Sequence, residues 1–368
     1  MSEAPLELFL VCPPGLEPVL AEEARALGFA PATPVPGGVV CEGGWSEVWR
    51  ANLALRGASR VLVRIGSFRA MHLAQLDKRA RKFPWGEMLR SDLPIRVEVT
   101  CRRSKIYHDR AARQRIETAL REELGAPISA EAGLTLKVRI EDDLVTLSLD
   151  TSGEGLHKRG HKSDVGKAPM RETLAALFLR ACGYDGQEPV YDPMCGSGTF
   201  PIEAAEIARG LLPGRSRSFA FEDLASVDPD RITALKEQAP RDTDLRFYGS
   251  DRDQGAVRRA EANAERAGVG DITSFEVKPV SDITPPEGPP GLVIVNPPYG
   301  ARIGNRKLLF GLYGAFGGAL KERFRGWRVG LVTSDDGLAR ATGLKGLTAG
   351  PPVPHGGLSV KLWQAGPL

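Results

Sequence analysis

Residues 191–208 read YDPMCGSGTFPIEAAEIA, and the organisation of the carboxyl-terminal half follows from them. A short apolar run ends on an acidic residue, Asp192. A Gly-x-Gly turn follows at Gly196 and Gly198, and then a helical pattern begins. Glycine lets the backbone turn sharply and approach a ligand, and the helix start offers free N–H groups. Gly-x-Gly alone is a weak signal. The dinucleotide fingerprint requires a third glycine, and that position is Pro201 here, so an NAD site is not indicated. The plain alternative is a tight strand-to-helix turn that holds nothing.

Outward from this turn, residues 168–368 repeat strand then helix. Strands are expected at PVYDP, LRFYGSD, ITSFEV, LVIVN, RVGLVTS and LSVKLWQ. Helices are expected at RETLAALFLRACG, FPIEAAEIARG, QGAVRRAEANAERAG and LLFGLYGAFGGALKERF. Such alternation implies an α/β fold with a mostly parallel sheet covered on both faces. The stretch from Leu211 to Asp244 is long for a connection. Ligands of such sheets bind beyond the carboxyl ends of the strands. The second strand ends in Asp251, placed to accept ribose hydroxyls or, as an alternative, to cap the next helix. The third reaches Asp282. The fourth, LVIV, runs into Asn296, Pro297, Pro298, Tyr299 and Gly300. Two prolines remove two donors and fix two φ angles, leaving an amide and an aromatic ring on a stiff turn.

The front half is different. Residues 1–65 alternate short apolar runs with helical stretches, as a small α+β unit does. Residues 66–152 hold a strand (PIRVEVTCR), an amphipathic helix (DRAARQRIETALREELG) ending at Gly125, and two strands joined at Asp142-Asp143. Residues 153–167 are glycine-rich and basic, and read as a mobile linker. Between residues 56 and 121 positive charges outnumber negative ones, although the 368-residue chain carries a net charge of only +3. A basic face interleaved with aromatics points to a polyanion partner, with a solvated helix surface as the alternative. Arg102, Arg103, Lys105, Arg113, Lys158 and Arg159 are the candidates for phosphate contact.

Composition narrows the class further. No apolar run is long enough to span a membrane, and the N-terminus lacks a signal-peptide pattern. Five scattered cysteines without C-x-x-C spacing fit a reducing cytoplasm. The five histidines show no metal spacing, so no metal is expected.

Taken together, the Gly-rich turn, the acids after strands two and three and the Asn-Pro-Pro-Tyr turn make the chain resemble the class I S-adenosylmethionine-dependent methyltransferases. More narrowly it is similar to THUMP-domain RNA guanine-N2 methyltransferases of the RlmL type. YDPMCGSGTFPIEAAEIA, NPPYG, GLHKRGHK…APMRETLAA and KFPWGEML…RSKIYHDRAARQRI carry the likeness, which covers nearly the whole chain. The resemblance implies a Rossmann-like methyltransferase domain with a seven-stranded, mostly parallel sheet over residues 168–368. It also implies a ferredoxin-like unit over 1–65 and an RNA-binding THUMP domain over 66–152. S-adenosylmethionine is the implied cofactor. Asp192, Cys195, Gly196 and Gly198 would line its methionine end, with Thr199 and Asn296 also in contact. Asp251 would hold the ribose and Asp282 the adenine amine, and Asn296, Pro297, Pro298 and Tyr299 would receive the target base. The longer relatives carry a second methyltransferase module, so a single activity is expected. The implied substrate is large-subunit ribosomal RNA. A transfer RNA guanine or an adenine amine are the alternatives, and a bare RNA-binding module is the reading from another class. Cys195 lies in the cofactor loop, away from the place where a covalent nucleophile would sit, and reads as packing.

A nucleobase amine is conjugated with its ring and is a poor nucleophile. Accepting its two hydrogens with the Asn296 side-chain oxygen and a backbone carbonyl, assigned to Pro297, draws the nitrogen toward pyramidal geometry. Tyr299 can stack on the extruded base. No strong general base is required.

Overall fold

The computed structural model describes residues 5–162, 170–224, 229–299 and 306–368. In chain order the elements are β1 (Leu6–Val11), α1 (Glu17–Ala26), β2 (Ala30–Val35), β3 (Gly38–Gly43), α2 (Trp45–Ala54), β4 (Arg60–Arg69), α3 (Leu73–Arg81), β5 (Ile95–Arg102), α4 (Asp109–Ala119), β6 (Leu134–Glu141) and β7 (Leu144–Asp150). There follow α5 (Glu172–Ala181), β8 (Val190–Asp192), α6 (Thr199–Ala208), α7 (Pro229–Lys236), β9 (Phe247–Asp251), α8 (Gln254–Ala267), β10 (Thr273–Val277), β11 (Leu292–Val295), α9 (Arg306–Arg323), β12 (Arg328–Thr333), α10 (Asp336–Ala341), β13 (Thr348–Ala349), β14 (Val353–His355) and β15 (Leu358–Ala365). No helix among the described residues is long and apolar enough to cross a membrane.

The chain divides into two compact units. One comprises Met1–Val11, Ala21–Leu156 and Arg217–Lys236; the other comprises Cys12–Leu20, His157–Ser216 and Glu237–Leu368.

The first unit is built on a seven-stranded sheet of order β2-β3-β1-β4-β7-β6-β5. The boundary expected at residue 65 falls inside β4, a ten-residue strand that pairs with β1 on one side and β7 on the other. Residues 1–65 and 66–152 therefore share one sheet. Asp142 and Asp143 both have positive φ, 50° and 63°, which is what the two-residue turn joining β6 to β7 requires. β2 was not expected. Its Pro31 and Pro34 would break a central ladder but are tolerated at a sheet edge, where β2 lies. The long 211–244 stretch is explained in part by a return to this unit. The Phe221 N–H donates to the Thr151 carbonyl at 3.0 Å, and Arg217 donates to the carbonyls of Ser152, Glu154 and Gly155.

The second unit carries a sheet of order β10-β9-β8-β11-β12-β15-β13, with β14 paired to β15. Five strands, β10 to β12, run parallel. β15 is antiparallel to β12, β13 and β14. The sheet is thus mixed, and at eight strands it exceeds the expected seven by one; two of the eight, β13 and β14, are short pieces of two and three residues. The four residues of β11 are buried, as a central parallel strand between two helical layers must be. Tyr313, Phe316, Leu320 and Phe324 of the α9 segment pack with Val293 and Val295 in one core.

Candidate active site

Strand order reverses between β8 and β11. Successive connections run one way from β8 to β9 and β10, and the other way to β11 and β12. A crevice opens beyond the carboxyl ends at such a switch point. The register pairs Val190 with Leu292 and Tyr191 with Val293, so Asp192 is level with Ile294. Asn296 then lies two residues, about 7 Å, further along the same direction.

The loop after β8 is held from three sides. Asp192 Oδ1 accepts the Met194 N–H at 3.0 Å, the Cys195 N–H donates to the Ser250 carbonyl at 2.9 Å, and Asn263 Nδ2 donates to the Ser197 carbonyl at 3.0 Å. Gly196 and Gly198 both have positive φ, 55° and 81°. A Cβ on Gly198 would sit 3.0 Å from that of Ala260, whereas one on Gly196 would meet nothing within 4 Å. Gly198 is therefore required by helix packing, and Gly196 borders open space. Cys195 is buried, and burial pushes its thiol pKa well up. A protonated, buried thiol is consistent with packing rather than nucleophilic attack.

Asp251 accepts the Gly196 N–H at 3.1 Å through one oxygen and the Asp253 N–H at 2.9 Å through the other. The helix cap proves to be Asp253, which accepts the Gly255 N–H. Asp251 is thus joined to the glycine loop and left with lone pairs for hydroxyl donors. Asp192 is 3% exposed, and burial, with Asp251 nearby, drives its carboxyl pKa well up. Asp282 is exposed in a 3-10 turn and accepts from its neighbour Ser281 at 2.8 Å. Among the described residues no hydrogen bond ties it to the glycine loop.

At the end of β11, Asn296 Oδ1 is buried and, among the described residues, has no hydrogen-bond partner. A buried acceptor left bare costs about 1–3 kcal/mol, and that cost is recovered when a donor arrives. The Pro298 carbonyl already receives the Tyr313 hydroxyl at 3.3 Å. None of the described residues donates to the Pro297 carbonyl. Tyr299 packs partly buried against the α9 core, and burial pushes its pKa up to about 12. Gly300 lies outside the described residues.

Several contacts here carry no sequence signal. Tyr313 sits in an apolar helix, and Lys162 sits in the basic segment. Lys162 donates to the Thr199 hydroxyl at 2.8 Å and pairs with Glu172 at 2.9 Å, fixing the start of α6. The same segment corrects an expectation. Arg159 is 2% exposed and paired with Glu203 at 3.1 Å, so it has no surface to offer a phosphate. Nor are residues 157–162 a solvated linker: His161 is buried too, 3.7 Å from Glu206. Residues 163–167 of the expected linker lie outside the described residues. Arg159→Ala should cost about 3–5 kcal/mol by removing one member of a buried ion pair. A lowered melting temperature with an unchanged salt dependence of RNA binding is the expected result. Arg102, Arg103, Lys105, Arg113 and Lys158 are exposed.

Five parallel strands with an antiparallel strand inserted at one end, and a glycine loop facing an Asn-Pro-Pro-Tyr turn across the switch point, define the class I methyltransferase fold. The family model described as "RMKL-like, methyltransferase domain" matches residues 159–351, just over half of the chain, and one described as "RlmL ferredoxin-like domain" matches residues 7–62. The chain belongs to this RMKL-like methyltransferase family. It is 34% identical to the Ribosomal RNA large subunit methyltransferase K/L of Vibrio campbellii, over 88% of this chain and 48% of that one. The chain thus spans about half the length of that relative. It is 31% identical to slr0064 of Synechocystis sp., which bears an RNA methyltransferase name, over 95% of this chain and 93% of that one. Among solved structures, SMU.472 complexed with SAH is 28% identical, with a TM-score of 0.85, covering 98% of each chain.

The cofactor of this class is S-adenosylmethionine, and the residues present fit it. Two carboxylates, Asp192 and Asp251, flank the loop, and the Asp251 charge adds to burial in raising the Asp192 pKa. A ligand bearing a sulfonium and an ammonium is suited to that field. Asp192, Gly196 and Asp251 are the residues that would hold it.

Proposed function

We propose that this chain transfers a methyl group from S-adenosylmethionine to the exocyclic N2 amine of a guanine in RNA, with large-subunit ribosomal RNA as the substrate. The observation that carries the amine chemistry is the Asn296 Oδ1, buried and, among the described residues, without a partner. Asn296 and the Pro297 carbonyl accept the two amine hydrogens and turn the nitrogen lone pair toward the methyl donor. Tyr299 supplies a flat partner for the base, and Tyr313 holds the turn through the Pro298 carbonyl. When bound, the cofactor supplies an electrophilic methyl group. Transfer is governed mainly by positioning, and the methylated amine, cationic at first, releases its proton to water.

The choice of ribosomal RNA is supported by the names of the K/L relatives, and the choice of guanine by the likeness of YDPMCGSGTFPIEAAEIA and NPPYG to guanine-N2 enzymes. The test is transfer of labelled methyl from S-adenosylmethionine to ribosomal RNA, followed by digestion to nucleosides. Label in N2-methylguanosine is the expected result. Label in N6-methyladenosine, or label only when transfer RNA is supplied, contradicts it.

A further inference from the structure

Asn296, Pro297, Pro298 and Tyr299 form a turn that cannot hold itself. The two prolines have no N–H to close it, and among the described residues no backbone N–H donates to the carbonyl of either proline. Several of its torsions are set all the same. The rings fix φ at Pro297 and Pro298, and a residue followed by proline is confined to extended ψ, which restricts Asn296 and Pro297. The first torsion left free is ψ of Pro298, and it turns the peptide that carries Tyr299. We propose that Tyr313 is a positioning residue for methyl transfer, whose hydroxyl pins the Pro298 carbonyl and thereby holds the Tyr299 ring where the target base stacks. The inference rests on the reading of Tyr299 as the partner of the base.

Tyr313 lies in the core beside Leu309, Phe316 and Leu320 of the same helix, so its ring alone would pass for packing. The hydroxyl is what differs. It lies 3.3 Å from the Pro298 carbonyl and 3.3 Å from Thr333 Oγ1. Both distances are longer than the usual hydroxyl bond, so neither contact alone holds the phenol firmly. A phenol has one hydrogen to give. A carbonyl only accepts, whereas the Thr333 hydroxyl can also donate. The arrangement that satisfies all three groups has Thr333 donating to Tyr313 and Tyr313 donating to Pro298. Thr333 Oγ1 in turn accepts the Asp335 N–H at 3.2 Å, which ties the chain to the start of α10. Tyr313 is fully buried and burial pushes its pKa up, so the hydroxyl keeps the hydrogen that the carbonyl needs.

A glycine one turn further on seats α9 closely enough for this contact. Residues four apart share a helix face, and Gly317 follows Tyr313 by four. A Cβ on Gly317 would stand 1.9 Å from the Thr342 carbonyl oxygen, just past the end of α10. Any side chain there would push α9 away and lift the Tyr313 hydroxyl off the turn.

The test is single-turnover transfer of labelled methyl to deproteinised large-subunit ribosomal RNA at saturating cofactor, with cofactor affinity read by calorimetry. Tyr313→Phe keeps the ring and removes the hydroxyl. It should slow transfer roughly tenfold, less than the 10²-fold that a misplacement of about 1 Å can cost, and leave the Kd for S-adenosylmethionine within about twofold. Because Tyr313 acts through Tyr299, the same change in a Tyr299→Ala background should slow transfer by less than about twofold. Tyr184→Phe is the control. It deletes another buried hydroxyl of the same unit, one that donates to the Ala204 carbonyl at 2.8 Å, and should leave the transfer rate as it was. If Tyr313→Phe loses cofactor binding, Thr333→Val takes its place in the cycle, with the same pattern expected. An unchanged rate, equal slowing with and without the Tyr299 ring, or equal slowing by Tyr184→Phe overturns the proposal while leaving the reading of function in place. A wild-type chain that labels no exocyclic amine overturns that reading and this inference with it.

Discussion

Asn296→Ala should lower the rate of methyl transfer by about 10²–10³, the usual cost of losing one preorganised polar group at a reacting centre. Cofactor affinity should fall far less than this rate, because Asn296 is one of several nominated cofactor contacts. The reason is local. Asn296 Oδ1 is buried and, among the described residues, without a partner, so the fold gains little from it and the substrate amine gains much. Asn296→Asp keeps an oxygen that can accept the same hydrogen and should retain more activity than the alanine variant. Single-turnover rates measured with saturating cofactor separate chemistry from binding. If both variants transferred methyl at the wild-type rate, the amine would be activated elsewhere.

Asp192→Ala should act at the other end of the site. Losing one charge-assisted contact of about 1.5–3 kcal/mol corresponds to roughly a 10- to 150-fold weaker Kd for S-adenosylmethionine. A pH dependence accompanies this effect. Burial raises the Asp192 pKa well above its ordinary 3.8, and a cationic ligand favours the ionised form. Affinity should therefore fall as pH drops through the raised pKa, at values above 3.8. Asp192→Asn should flatten that profile. The sign for the unliganded protein is opposite. Between 3.8 and the raised value the folded state holds a proton that the unfolded state has lost, so stability declines as pH rises through this window. Titration calorimetry and thermal melts across pH read the two trends separately.

Much of the second unit could be read from the chain because its signals are local. LVIV is apolar throughout, as a doubly covered strand must be, Asp192 and Asp251 close their strands, and Asn296 follows directly on its own. The mixed edge was less legible, since β13 and β14 are two and three residues long. Charge partners were not legible at all. Arg159 in a glycine-rich basic stretch reads as a surface cation, and its partner Glu203 lies 44 residues away on α6. The sheet shared across residue 65 was hidden for a similar reason. Period-two alternation shows that β4 is a strand, but not that its two edges join what look like separate domains. Asp282 was nominated by its place after the third strand, yet that strand ends at Val277, and the intervening turn carries the carboxylate to the exposed surface.

Nucleoside mass spectrometry of ribosomal and transfer RNA from cells with and without the gene is the most direct test of the central claim. Loss of an N2-methylguanosine from large-subunit ribosomal RNA alone, restored by the wild-type chain and not by Asn296→Ala, is the predicted result. An unchanged guanosine profile in the large-subunit RNA would contradict it.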